Sequence, residues 1–198
     1  MPLADQTDYS ELVCELVTRR QQVSPKHLHD PGPAPAEVQQ LWTAAAQAPD
    51  HALILPWRFV QVTSTARESL GEAFVQALLE RDSDATEAQR NDARVKATRA
   101  PFLALAIARL DGDAHPEIPS TERLVSLGCA LQNMLLMAQA QGFGTALVSG
   151  QAMDSAALGS LFGLAANEKA ICFVAVGTVS KSRASRVRPS PLDFVTAL

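Results

Sequence analysis

Residues 121–141 constrain the fold more than any other stretch of this chain. Leu124, Leu127, Leu131, Leu135 and Ala138 recur at helical spacing, with Val125, Ala130, Met134, Leu136 and Met137 around them. A helix that is apolar on most of its circumference has to be buried on most of it. In a chain of 198 residues that leaves two settings: the core, or an interface between subunits. Gly142 follows the last periodic residue and is a natural stop.

Something must cover that helix. Residues 57–62, 102–108, 144–148 and 170–176 are short and rich in Val, Ile, Phe or Leu, which predicts strands. The second and fourth lack polar alternation, so both of their faces should be covered. Three further helices are expected. Leu12, Val13, Leu16 and Val17 form a stripe that Ser10 can cap. Val38, Leu41, Trp42 and Ala45 follow Pro35, which suits the first helical position. Phe74, Leu78 and Leu79 mark the third. Helices and strands mix without strict alternation, which predicts an α+β fold: a central mixed or antiparallel sheet flanked by helices. The Pro/Gly stretches at 30–35 and 111–119 are too short to separate domains, so 1–198 reads as one domain.

Composition narrows the function. Hydrophobic residues make up 47% and charged residues 19%, as in globular chains. The net charge is −4 with no long block of like charge, which argues against a nucleic-acid surface. No apolar run reaches the roughly 18 residues of a membrane span, and the first residues do not read as a secretion signal. Cys14, Cys129 and Cys172 are widely spaced and odd in number, so reduced thiols in a cytoplasm are expected.

Several common chemistries have no signature here. His27 and His29 form an H-x-H pair without further ligands, and no metal site is expected. Ser149 lacks the first glycine of a nucleophile elbow. No phosphate-binding loop of the G-x-x-x-x-G-K type occurs. Gly142-Phe143-Gly144 starts like a dinucleotide fingerprint, but Leu147 stands at the third glycine, and a strand follows instead of a helix.

Four segments, read in order, resemble the nitroreductase family. They are Thr18-Arg19-Arg20-Gln21 through Lys26; Ala48-Pro49-Asp50-His51 followed by Pro56-Trp57-Arg58-Phe59; Gly142-Phe143-Gly144 through Ser149-Gly150; and Gly177-Thr178 followed by Lys181-Ser182-Arg183. No single motif is specific; the order and spacing carry the resemblance, which lies closest to the short, single-domain bacterial branch.

The resemblance implies an FMN-dependent oxidoreductase. FMN needs cations for its phosphate, an apolar wall for its ring, and positive charge or donors near the pyrimidine edge when reduced. Arg19 and Arg20 suit the phosphate, since guanidinium meets phosphate through paired bonds, and Lys181 and Arg183 add to them. Gln21 stands where the family usually has a flavin-bonding serine. Gln47 and His51 match side chains that reach the flavin in relatives, and Leu147, Val148 and Ser149 match the segment bordering the ring. Val148 replaces an arginine found there in some relatives, so one source of positive charge is missing.

The implied protein is a homodimer with FMN at the subunit interface. The implied reaction is ping-pong, with NAD(P)H giving hydride and a nitroaromatic, quinone or enone taking it. No side chain is expected to act as an acid–base catalyst, so no catalytic residue is named. Two alternatives remain open: a flavin- and oxygen-dependent relative, and a binding or scaffold dimer that keeps the fold without FMN. Gln21 and Val148 sustain the second.

Overall fold

Strand β3 (Phe102–Arg109) carries the architecture, because almost every residue of it is buried. In this computed structural model, which describes residues 8–112, 114–181 and 187–198, β3 lies between β2 (Trp57–Gln61) and β5 (Glu168–Val179), antiparallel to both. The other edge of β5 takes β4 (Gly144–Val148), and the two-residue β1 (Leu28–His29) pairs with the end of β5, both antiparallel. A single parallel bridge joins Gln22 to Thr145.

Alternation along β3 sorts the core into two layers. Phe102, Ala104, Ala106 and Ala108 face one cluster, with Leu41 of α2 (Pro35–Ala45) and Leu127, Leu131 and Met134 of α5 (Ser120–Ala140). Leu103, Leu105 and Ile107 face the other, with Leu70 of α3 (Arg67–Leu79) and Leu158 of α6 (Ala156–Phe162). Both faces of β3 and β5 are therefore covered, as the unbroken apolar runs require. Pairing steps from Ala106–Cys172 to Ile107–Ala170, so Ile171 is an extra residue. That bulge lets Ala170 face the same layer as Phe173 and Ala175.

The predicted helices form, with one corrected cap. α1 spans Ser10–Arg19, and Ser10 is its first residue, not its cap. The Asp8 Oδ1 accepts the Ser10 N–H at 2.9 Å instead. Pro35 does open α2, and Gly142 follows α5 at φ +88°, a conformation that favours glycine. Two helices were not foreseen. α4 (Glu87–Val95) starts with the reciprocal bonds of Thr86 and Gln89, and α6 starts on the Ser155 hydroxyl, which accepts the Leu158 N–H.

α5 buries one long side within the chain, while Val125 on its surface is 65% exposed. α1 buries nothing, leaving Tyr9, Leu12, Val13 and Val17 exposed, as are Leu192, Phe194 and Val195 near the C-terminus. Among the described residues no helix is long and apolar enough to cross a membrane. The three cysteines are free, and burial pushes the Cys172 thiol up to about 11.

Candidate functional site

Two glycines set the geometry at the end of the sheet. Gly144 faces Gly177 across β4 and β5. A Cβ on Gly144 would collide with Val179 and Leu28, and one on Gly177 would lie 2.7 Å from the Pro101 ring. This close packing draws the segment after α1 down onto β4. The Val23 N–H donates to the Thr145 carbonyl at 2.9 Å. The Gln22 side chain brackets Leu147: its Nε2 donates to the Leu147 carbonyl at 2.7 Å, and its Oε1 accepts the Leu147 N–H at 3.2 Å. Gln21, Gln22, Ser24 and Lys181 line a narrow groove beside this clamp.

A larger cleft of about 390 Å³ begins where the groove ends; Ser24 lines the groove and Pro25 the cleft. Val148, Ser149 and Gly150, at and beyond the end of β4, form one side. Phe74, Leu103 and Phe173 form an apolar floor, with the Phe74 and Phe173 rings edge-to-face at 5.7 Å. Arg81, Lys96 and Arg99 line the cleft as well. Lys96 begins the short turn Lys96–Thr98 that follows α4, in which Ala97 is fully buried. Arg67 holds that turn, donating from Nη1 to the Ala97 carbonyl at 2.8 Å and from Nη2 to the Pro101 carbonyl at 3.0 Å. Burial lowers the Arg67 pKa, the expected direction for a cation taken from water. Among the described residues, neither Arg81, Lys96 nor Arg99 makes an ion pair, and no carboxylate lines the cleft. An anion would meet three unneutralised cations over an aromatic floor.

The sequence-predicted residues divide into groups. Gln21, Leu147, Val148, Ser149 and Lys181 come together along the groove and cleft. Arg20 adjoins them half-buried, and its carbonyl accepts from Arg188 Nη2 at 3.5 Å. Arg19 turns back along α1 to Glu15 at 2.8 Å and is three-quarters exposed, so it does not line the groove. Gln47 and His51 lie beyond α2, where His51 Nδ1 meets Glu122 Oε1 of α5 at 2.7 Å; neither borders the cleft in this chain. Arg183 lies outside the described residues. Four contributors escaped the sequence reading: Gln22, Arg81, Lys96 and Arg99. The signal was faint: Lys96 and Arg99 stand three apart immediately before an apolar strand.

The sequence matches the model of the Nitroreductase family over residues 18–178, which covers the groove segment, β4 and the cleft. The chain belongs to the nitroreductase family. It is 30% identical over 182 residues to "Putative NAD(P)H nitroreductase YdjA" of Escherichia coli strain K12, spanning 91% of this chain and 96% of that protein. In fold it is similar to a nitroreductase-like protein from Bacillus cereus, with a TM-score of 0.79 at 18% identity over 99% of this chain and 98% of the other. It is also similar to the FMN-dependent nitroreductase NfnB of Mycobacterium smegmatis, solved with NADPH, with a TM-score of 0.74 at 16% identity over 96% and 100%. The nitroreductase fold is thus shown, and family membership supports an oxidoreductase. Lys181 and Arg183 fall beyond the family match.

Proposed function

We propose that the chain is an FMN-dependent NAD(P)H oxidoreductase that works as a homodimer. One observation carries the reading: Arg81, Lys96 and Arg99, without an ion-pair partner among the described residues, line the same cleft as Val148, the position that lacks a charge. Lys96 lines the same cleft as Val148 and makes good that loss. The residues present fit the cofactor. Lys181, Gln21 and Arg20 offer cations and donors for its phosphate; Val148 and the aromatic floor offer apolar surface for its ring; Lys96 and the Ser149 backbone offer charge and a donor for its polar edge. Bound there, FMN would carry hydride from a nicotinamide coenzyme to an acceptor.

This chain's own residues orient and tune. Gln22 fixes the backbone of Leu147, so the wall beside it cannot drift. Arg67 positions Lys96 through the turn it holds. No side chain is required to move a proton at the redox step, and none is assigned that task.

The placement of Gln47 and His51 supports a dimer. They serve the site only from a second copy, as the partner subunit's Gln47 and His51. The loop that bears His51 holds Ala52, Leu53 and Leu55 at positive φ and presents Leu53 to solvent at 85% exposure. Non-glycine residues in that region carry strain, which persists where the surroundings impose it. Together with the bare apolar face of α1 and the exposed C-terminal residues, this is surface suited to a subunit contact. Light scattering should return twice the chain mass of 21.1 kDa at micromolar protein, and a monomer would refute the interface site.

The test of the cofactor is direct. Gently purified protein should be yellow, or should quench added FMN fluorescence with one-to-one stoichiometry. A colourless preparation that ignores FMN would favour the cofactor-free scaffold. Lys181→Ala should weaken FMN binding about tenfold, the scale of one charge-assisted hydrogen bond. Arg19→Ala should change it far less, because the Arg19 guanidinium is engaged with Glu15 and exposed. Equal losses in both variants, vanishing in salt, would reduce the groove to a diffuse basic surface.

A further inference from the structure

The flavin reading uses Lys181 and Arg20 at the phosphate end and Lys96 near Val148. That leaves Arg81 and Arg99 unexplained. Arg81 follows α3 and donates from Nε to the Ala77 carbonyl at 3.0 Å, with no other side-chain partner among the described residues. Arg99 is half-buried, and its side chain has no partner among them at all. Arg81 is exposed and Arg99 half-buried, neither has an anionic partner among the described residues, and the two share one cleft in a chain whose net charge is −4.

We infer that the cleft selects an anionic second substrate, whose phosphate or carboxylate is held by Arg81 and Arg99. The inference rests on the flavin reading above and adds to it the charge of what reacts there. Two sources supply such a group: the 2′-phosphate that distinguishes NADPH from NADH, and a carboxylate on the acceptor.

The experiment uses the purified holoprotein and the variants Arg81→Gln, Arg99→Gln and Lys169→Gln. The last removes the same charge from the surface, where Lys169 pairs with Asp154 away from the cleft. Circular dichroism and flavin absorbance are recorded first, so that loss of fold or of FMN is seen separately. kcat/KM is then measured with NADPH and NADH, and with 4-nitrobenzoate and nitrobenzene as acceptors. The expected result is a loss of about tenfold for the anion-bearing member of one pair, set against a change under about twofold for its counterpart. Arg81→Lys should recover part of the loss. Loss confined to NADPH assigns the coenzyme phosphate; loss confined to 4-nitrobenzoate assigns the acceptor carboxylate. Equal changes within both pairs, or the same pattern in Lys169→Gln, would overturn the inference. If the wild-type chain carries no flavin, the flavin reading fails alone. Titration calorimetry with NADPH against NADH and with 4-nitrobenzoate against nitrobenzene, in wild type and Arg81→Gln, then decides this inference by the same contrast.

Discussion

Glu168→Gln is expected to lower stability by about 3 kcal/mol, or roughly 6–12 °C in Tm for a domain of this size. Glu168 opens β5 with its side chain 7% exposed. Its carboxylate accepts from Arg58 Nε and Nη2 of β2, both at 2.8 Å, from Arg109 Nε of β3 at 3.5 Å, and from the Ala165 N–H at 3.1 Å. Arg58 also donates to the carbonyls of Phe162 and Gly163, so the same knot ties α6 to three strands. Glutamine keeps the shape but loses the charge, and leaves two guanidinium groups facing a neutral amide. The Arg58 hydrogen bonds, chiefly, hold the Glu168 carboxyl down at about 2 from an ordinary 4.5. A depressed folded pKa gives stability that is fully present above pH 4.5 and is lost as pH falls from there through 2. Urea unfolding at pH 7, 4 and 2.5 should show the wild type converging on the variant as acid is added. A constant gap across that range would mean that the knot contributes shape alone.

The second large effect concerns charge at the redox centre. Lys96→Ala should lower the potential of bound FMN by roughly 20–40 mV, which corresponds to ~1–2 kcal/mol for a partly exposed cation near a two-electron centre. Val148→Arg, placed in that background, should restore much of the loss, since Val148 lines the same cleft. Potentiometric titration of the two variants and the wild type measures both changes. If Lys96→Ala leaves the potential unchanged while FMN stays bound, Lys96 is not beside the ring edge. If Val148→Arg then fails to raise it, the β4 segment has been misplaced as well.

The apolar runs made the central layer legible. Residues 102–108 and 170–176 read as strands covered on both faces, and β3 and β5 are those strands. α4 was hidden because its nine residues, EAQRNDARV, offer one buried alanine and no apolar stripe; only the Thr86–Gln89 pair announces it. α6 is a seven-residue helix flanked by Ser155 and Gly163, too short for periodicity to show. Ile171 cannot be read as a bulge from sequence, since strand period fixes alternation but not where a partner skips a residue.

The site was legible only in its chain-local parts. Leu147, Val148 and Ser149 are one strand end, and Gln21 sits in the segment that reaches it. Arg81, Lys96 and Arg99 come from the end of α3 and the turn beyond α4, and meet only through the packing of Ala97 and the Arg67 bonds. No spacing rule joins them. Arg19 shows the converse: a residue type suited to phosphate whose side chain pairs with Glu15 of its own helix in this chain.

The Gln22 bracket has another consequence. β4 pairs with β5 on one edge only, and a strand with a free edge is a template for a foreign strand. Val23 occupies the Thr145 carbonyl, and a single side-chain amide occupies both backbone groups of Leu147. The free edge is thus sealed by two consecutive residues of the same chain, one through its backbone and one through its side chain. Protection from edge-to-edge pairing on this side of the molecule therefore rests on Gln22 and Val23 together, whether or not a cofactor is present.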